Sequence, residues 1–186
     1  TLKRFEKWDG DISPASAQLV PDDFEDVVDK YPNNVAWRFE GEVTTYAEMD
    51  AHANRVAHWA LSQGLKAGDT VALFMENRPE YVSIWYGLSK VGIVVGLINH
   101  NLTDKALAHC VNIADAKMLI TGADVDENIR SAEGLLEGNI PVWTLGGQEG
   151  QDLAPALEAA PDTRPDKEHR AHLRGNALAL YVYTSG

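Results

Sequence analysis

Six residues, Tyr181-Val182-Tyr183-Thr184-Ser185-Gly186, have the types and order for anion chemistry. A strand running into a turn of hydroxyls and glycine can present successive backbone N–H groups as a concave nest, with Thr184 and Ser185 adding donors to phosphate oxygens. The same composition also makes an ordinary turn that needs no ligand. A second candidate is Asn99-His100-Asn101, which follows an apolar run ending at Ile98 and offers two amides and an imidazole. Its plainer reading is a polar loop whose side chains satisfy nearby backbone groups ahead of the next helix. Both segments would gain chemical meaning at the carboxyl edge of a parallel sheet, where ligands collect.

Other spacings fail. Asp124, Asp126 and Asn128 begin like a calcium loop, but Ile129 stands where that loop needs glycine and Leu135 where it needs a closing carboxylate. They read as acids at a helix start. Gly146, Gly147 and Gly150 miss the dinucleotide spacing, and no Gly-Lys pair exists for a Walker-type loop. His52 and His58 fall on a long helix and His169 and His172 in a charged loop, none with metal-ligand spacing, so no metal ligand is expected. Asp22, Asp23, Glu25 and Asp26 read as one solvated helix end. Cys110 falls in the stripe Leu107, Cys110, Val111, Ala114 and reads as a packed thiol.

The elements that must position these residues follow from hydrophobic period. A helix is expected over 22–31, then strands over 35–39 and 43–45 around Glu40-Gly41-Glu42. Thr45 and Glu48 have capping-box spacing, so a long helix should follow with Met49, Ala53, Val56, Ala57 and Ala60 on one face and Gly64-Leu65 at its stop. Strands are then expected over 71–75, 93–98, 117–121 and 142–145, alternating with helices begun at Pro79, over 104–114, over 126–136 with a break at Gly134, and around Leu153 to Ala160. Residues 161–174 read as a polar connecting loop before a strand over 177–183. Alternating strands and helices predict an α/β fold, a mostly parallel sheet with helices on both faces.

Composition narrows the function classes. The chain has 186 residues, 45% hydrophobic and 24% charged, which suits a globular domain. Its net charge of −12 opposes nucleic acid and anionic membrane surfaces. One cysteine forbids an internal disulfide and is compatible with a reducing, cytoplasmic setting. No apolar run approaches the roughly 18 residues of a membrane span. The chain opens at Thr1 with no signal-peptide pattern, so an upstream start is compatible with it.

Several segments together resemble the amino-terminal part of the acyl-adenylate-forming enzymes, the superfamily of acyl-CoA synthetases, luciferases and peptide-synthetase adenylation domains. Thr44-Thr45-Tyr46-Ala47-Glu48-Met49 is similar to its early Thr-Tyr-x-Glu-Leu element, with Met49 in place of leucine. Ala67-Gly68-Asp69-Thr70-Val71-Ala72-Leu73 is similar to the Gly-Asp turn and strand that follow, and Tyr181 to Gly186 to the opening of its signature phosphate loop. Met75 to Tyr81 and Ile98 to Leu102 most resemble the fatty acid transport protein branch, the very-long-chain acyl-CoA synthetases.

The resemblance implies an AMP-forming ligase that activates a carboxylic acid, a fatty acid in this branch, with ATP and Mg2+, and transfers the acyl group to coenzyme A. Thr184, Ser185 and Gly186 match the phosphate-holding positions. By the same resemblance the chain is an amino-terminal piece, inert alone, with the catalytic residues downstream of Gly186. It divides into an extension over 1–21, an α/β part over 22–174, and a strand with the opening of the phosphate loop over 175–186. Peripheral membrane contact, a homodimer and packing against the rest of its own chain are compatible with it. A ligase for an aryl, carnitine-type or amino acid remains open, as does a non-catalytic interaction module with the same sheet.

Overall fold

The computed structural model describes residues 13–183. Helix α1 (Val20–Lys30) starts two residues before the expected position. Pro21 is tolerated in the first turn, where its missing N–H costs nothing, and the Asp22 carboxylate accepts from the Leu19 N–H at 3.1 Å. Strands β1 (Val35–Phe39) and β2 (Glu42–Thr45) pair antiparallel across Glu40 and Gly41, whose φ values of 50° and 90° are the left-handed pair that a tight hairpin turn requires. Helix α2 (Tyr46–Ser62) has the expected box: Glu48 N–H donates to Thr45 Oγ1 at 3.3 Å, and Thr45 N–H to Glu48 Oε2 at 2.8 Å. It stops at Gly64, φ 81°, after which Leu65 N–H returns to the Ala60 carbonyl.

A regular alternation follows: β3 (Thr70–Phe74), α3 (Pro79–Lys90), β4 (Val94–Leu97), α4 (Asp104–Ile113), β5 (Met118–Gly122), α5 (Asp126–Ser131), β6 (Val142–Leu145), β7 (Gln151–Asp152), α6 (Leu153–Glu158) and β8 (Leu180–Val182). The second sheet is parallel throughout, in the order β7-β6-β5-β3-β4-β8. From β3 the chain steps to β4, then back past β3 to β5, β6 and β7, and finally to β8 at the opposite edge. Right-handed crossovers put helices of opposite steps on opposite faces. Accordingly α3 and α6 pack with α2 on one face, and α4 and α5 on the other. Along β3, Val71 and Leu73, with Met75 after them, join the first core and Ala72 and Phe74 the second, all nearly or fully buried. Burial on both faces explains why this strand is a continuous apolar run.

Two expectations need correction. The helix over 126–136 ends at Ser131, and Gly134 has φ 75°, so a turn occupies the remainder. The acids of α1 are not one solvated end. Asp22 and Glu25 are buried, while Asp23 and Asp26 lie outside. The reason is an outer layer: α3 has a second buried face of Ser83, Tyr86, Gly87 and Lys90, turned away from the sheet and toward α1 and α2. There the Lys90 ammonium, fully buried, bonds Glu25 at 2.8 Å and Asp50 at 2.9 Å, and Tyr86 donates its hydroxyl to Asp50 at 2.8 Å. Burial penalises each carboxylate, but bonds from Lys90 and the neighbouring cations outweigh that penalty and hold Glu25 and Asp50 below their ordinary range.

Candidate functional site

Pairing of β4 with β8 brings together the strands that lead into the two segments singled out by sequence. The register sets Val95 opposite Leu180, Gly96 opposite Tyr181 and Leu97 opposite Val182. Ile98 and Tyr183 therefore leave the sheet side by side at its carboxyl edge, the first leading into Asn99-His100-Asn101 and the second into Thr184. Thr184, Ser185 and Gly186 lie outside the described residues. Tyr183 packs on the α4 face, where its hydroxyl donates to the Cys110 carbonyl at 2.9 Å and lies 3.9 Å from where a Cβ on Gly96 would stand. Burial pushes both the Tyr183 hydroxyl and the Cys110 thiol up from their ordinary values.

The loop after β4 supports the plainer reading of its amides. Asn99 Oδ1 accepts from the Asn101 N–H at 3.0 Å and from Asn101 Nδ2 at 3.1 Å, a local turn bond of the kind asparagine favours. Asn128 Nδ2 donates to the carbonyls of His100 and Leu102 at 3.1 and 2.9 Å, holding the loop against α5. The aborted calcium-like pattern is thus a set of loop ties. Asp126 Oδ2 accepts from the Gln148 N–H at 2.8 Å, and Asp124 Oδ2 from the Glu76 N–H at 2.6 Å.

Connections from β3 and β5 diverge toward opposite edges, so the crevice beyond their carboxyl ends is a topological switch point. Sequence reasoning named Asp124 as an acid at a helix start and Met75 to Tyr81 for their resemblance, but not as neighbours in one crevice. Arg78 bonds Glu80 at 3.0 Å and lies 3.8 Å from Asp124, which already caps Glu76. Gly122 is the local signal, since a Cβ there would strike the Asp124 carboxylate. Arg78 and Asp124 are thus already paired with residues of the same edge.

A cavity of about 300 Å3 lies at the other end of the same strands, lined by Trp85, Ile93, Leu173, Leu178 and Leu180. It is apolar and remote from the carboxyl edge. Among the described residues no group of three His, Cys, Asp or Glu could hold a metal ion. His52 Nδ1 meets Ser83 Oγ at 2.8 Å, and burial lowers its pKa; His58 Nε2 meets the Thr163 carbonyl at 2.9 Å. Both act as ties between segments.

A parallel six-stranded sheet whose β4 and β8 end side by side at its carboxyl edge has the architecture of the α/β domains that bind ligands beyond their strand ends. Residues 24–186 match the family described as AMP-binding enzyme, and the chain belongs to that family. It is 33% identical over 189 residues to long-chain fatty acid transport protein 6 of Homo sapiens, covering 100% of this chain and 30% of the relative. Over 180 residues it is 35% identical to long-chain fatty acid transport protein 1 of Homo sapiens, covering 92% and 28%. The chain thus spans about 30% of the length of these curated relatives. The N-terminal domain of FACL13 from Mycobacterium tuberculosis superposes with a TM-score of 0.79 at 26% identity, covering 90% of this chain and 42% of that one. For a Mycobacterium tuberculosis fatty acyl CoA synthetase the TM-score is 0.75 at 28% identity, with 87% and 32% covered.

Proposed function

We propose that this chain is the leading part of an enzyme that joins a carboxylic acid to AMP from ATP and passes the acyl group to the thiol of coenzyme A. The observation that supports this reading is the β4·β8 register, which brings Tyr183, the residue before Thr184-Ser185-Gly186 in sequence, to the carboxyl edge of the sheet. Thr184 and Ser185 hydroxyls, with the backbone N–H groups through Gly186, would hold phosphate oxygens. Attack of a carboxylate on an α-phosphate brings anions together, and such donors offset the charge that develops on the departing pyrophosphate. Mg2+ would supply further neutralisation there, and the described residues provide no cage for it. The printed names of the relatives, long-chain fatty acid transport proteins and a fatty acyl CoA synthetase, favour a fatty acid as substrate. No described helix is long and apolar enough to cross a membrane. The reading is of a cytoplasmic enzyme, and peripheral membrane contact is compatible with it.

The test is ATP–pyrophosphate exchange by the full-length protein across a panel of fatty, aryl and amino acids, with thioester formation followed when coenzyme A is added. Exchange with fatty acids that falls in Ser185→Ala supports the reading. Exchange only with aryl or amino acids overturns the substrate class, and no exchange with any acid overturns the activity. The 186-residue chain alone should show none, since it spans about 30% of the length of the relatives it matches.

A further inference from the structure

Between α6 and β8 the chain runs over the outer layer without regular strand or α-helix, and charged side chains hold its path. Its start is fixed by α2, where Arg55 donates to the Ala160 carbonyl at 2.6 Å and Asn54 to the Asp162 carbonyl at 2.8 Å. Further along, Arg164 forks onto Asp29 at 2.8 and 3.0 Å and reaches Asp50 at 3.2 Å. Arg170 is the innermost anchor, only 3% exposed. Its guanidinium donates to Asp22 at 2.8 Å, to Glu25 at 3.0 Å and to the Lys90 carbonyl at 2.6 Å.

A connecting loop does not need a buried guanidinium. Apolar packing of similar volume is often as stable or more so, and in some proteins a buried ion pair serves to fix one geometry. The geometry that Arg170 fixes continues directly to β8. Three residues later Leu173 seats over Gly92, where a Cβ would stand 2.7 Å from its Cδ1, and Gly92 lies two residues before β4. Gly175 N–H then donates to the Ser16 carbonyl at 2.9 Å and Asn176 N–H to the Pro14 carbonyl at 3.0 Å. From there the chain enters β8, which pairs with β4 over only three residues. So short a ladder is weakly registered on its own, and a one-residue slip would turn every side chain to the other face.

We propose that Arg170 is a positioning residue for strand β8: its buried pairing with Asp22 and Glu25 latches the 161–174 segment and so sets where β8 lies on β4 and where Tyr183, the residue before Thr184 in sequence, stands. The inference rests on the reading of 184–186 as phosphate-binding. The latch itself is tested in the full-length protein by amide hydrogen exchange. In Arg170→Met, protection of 177–182 should fall about tenfold or more while β3 and β5 stay within about twofold, with Arg170→Lys intermediate. Unchanged protection of β8, or equal loss across the sheet, overturns the latch. Should Arg170→Met fail to fold, Arg170→Lys is read by the same comparison.

In the full-length protein, Arg170→Met should lower kcat/KM for ATP by about tenfold to a hundredfold while KM for the acid moves less than about twofold, again with Arg170→Lys intermediate. Ser185→Ala separates the two ideas. If it leaves ATP kinetics unchanged, the phosphate reading fails and the positioning role with it. If it impairs them and Arg170→Met does not, the positioning role alone fails.

Discussion

The Tyr183 hydroxyl donates to the Cys110 carbonyl at 2.9 Å, tying the residue before Thr184 to the last turn of α4. Carbonyls in a final helical turn have no partner inside the helix, so this bond both satisfies an orphan acceptor and fixes the aromatic ring beside Gly96. Tyr183→Phe keeps the ring and loses the bond. A loss of about 0.5–1.5 kcal/mol is expected. In thermal unfolding that corresponds to a Tm lower by roughly 2–4 °C per kcal/mol for a chain of this size. An unchanged Tm would mean that water replaces the bond at no cost.

Lys90 is the most demanding member of the outer layer. Lys90→Met leaves Asp50 and Glu25 buried without the cation they share, and a loss of about 3–5 kcal/mol is expected. Lys90→Met/Asp50→Asn removes one of the stranded charges and should recover part of that loss. Urea midpoints of the two variants and the parent measure both effects, and a double variant no better than the single would contradict the pairing.

The same cluster sets the response to acid. Burial raises the pKa of Asp22, Glu25 and Asp50, but bonds to Arg170, Lys167 and Lys90 lower it further, so each folded pKa lies below its unfolded value. The unfolded chain therefore binds more protons in the acid range, and stability rises with pH there. The contribution is fully present above the unfolded carboxylate values, about 4 to 4.5. It disappears as pH falls through the depressed folded values. Denaturant midpoints from pH 7 to pH 3 should fall mainly below about pH 4.5, and the slope should be shallower in Asp50→Asn.

Gly87 reverses an ordinary rule. Alanine in place of a helical glycine is normally favourable by about 0.8–1 kcal/mol. Here a Cβ would strike the Ala53 carbonyl and lie 2.7 Å from Val56 Cβ, because α2 packs directly against α3 at this point. Gly87→Ala should instead destabilise by about 1–3 kcal/mol, the usual cost of overpacking. A stabilised variant in chemical denaturation would show that the two helices can separate freely.

The central sheet was legible because its determinants are local. The run from Ile93 to Ile98 and the face formed by Tyr81, Ile84, Trp85 and Leu88 announce a buried strand and the helix before it within single windows of sequence. The pairing of Thr45 with Glu48 spans three positions. Asp22 and Glu25 gave no such signal, since their partners Lys90, Lys167 and Arg170 stand 65 to 148 residues away. A local window sees only acids at a helix start. The two residues of β7 were equally silent, too short for any period to register. At the carboxyl edge, residue types pointed to Asn99-His100-Asn101 and to the turn after Tyr183, but only the β4·β8 register shows that their flanking residues are neighbours.

Strand β8 is the outermost strand on its side of the described sheet, and its three residues Leu180, Tyr181 and Val182 include no proline or charge. An apolar edge of this kind is a template for another strand. Whatever pairs there acts on the strand that leads in sequence to Thr184, so solution behaviour and chemistry share one strip of backbone. In the longer enzyme proposed above, a strand from the remainder of the chain would compete for that edge with a second copy, which makes dilution, not added ligand, the first lever for keeping copies of the 186-residue chain apart.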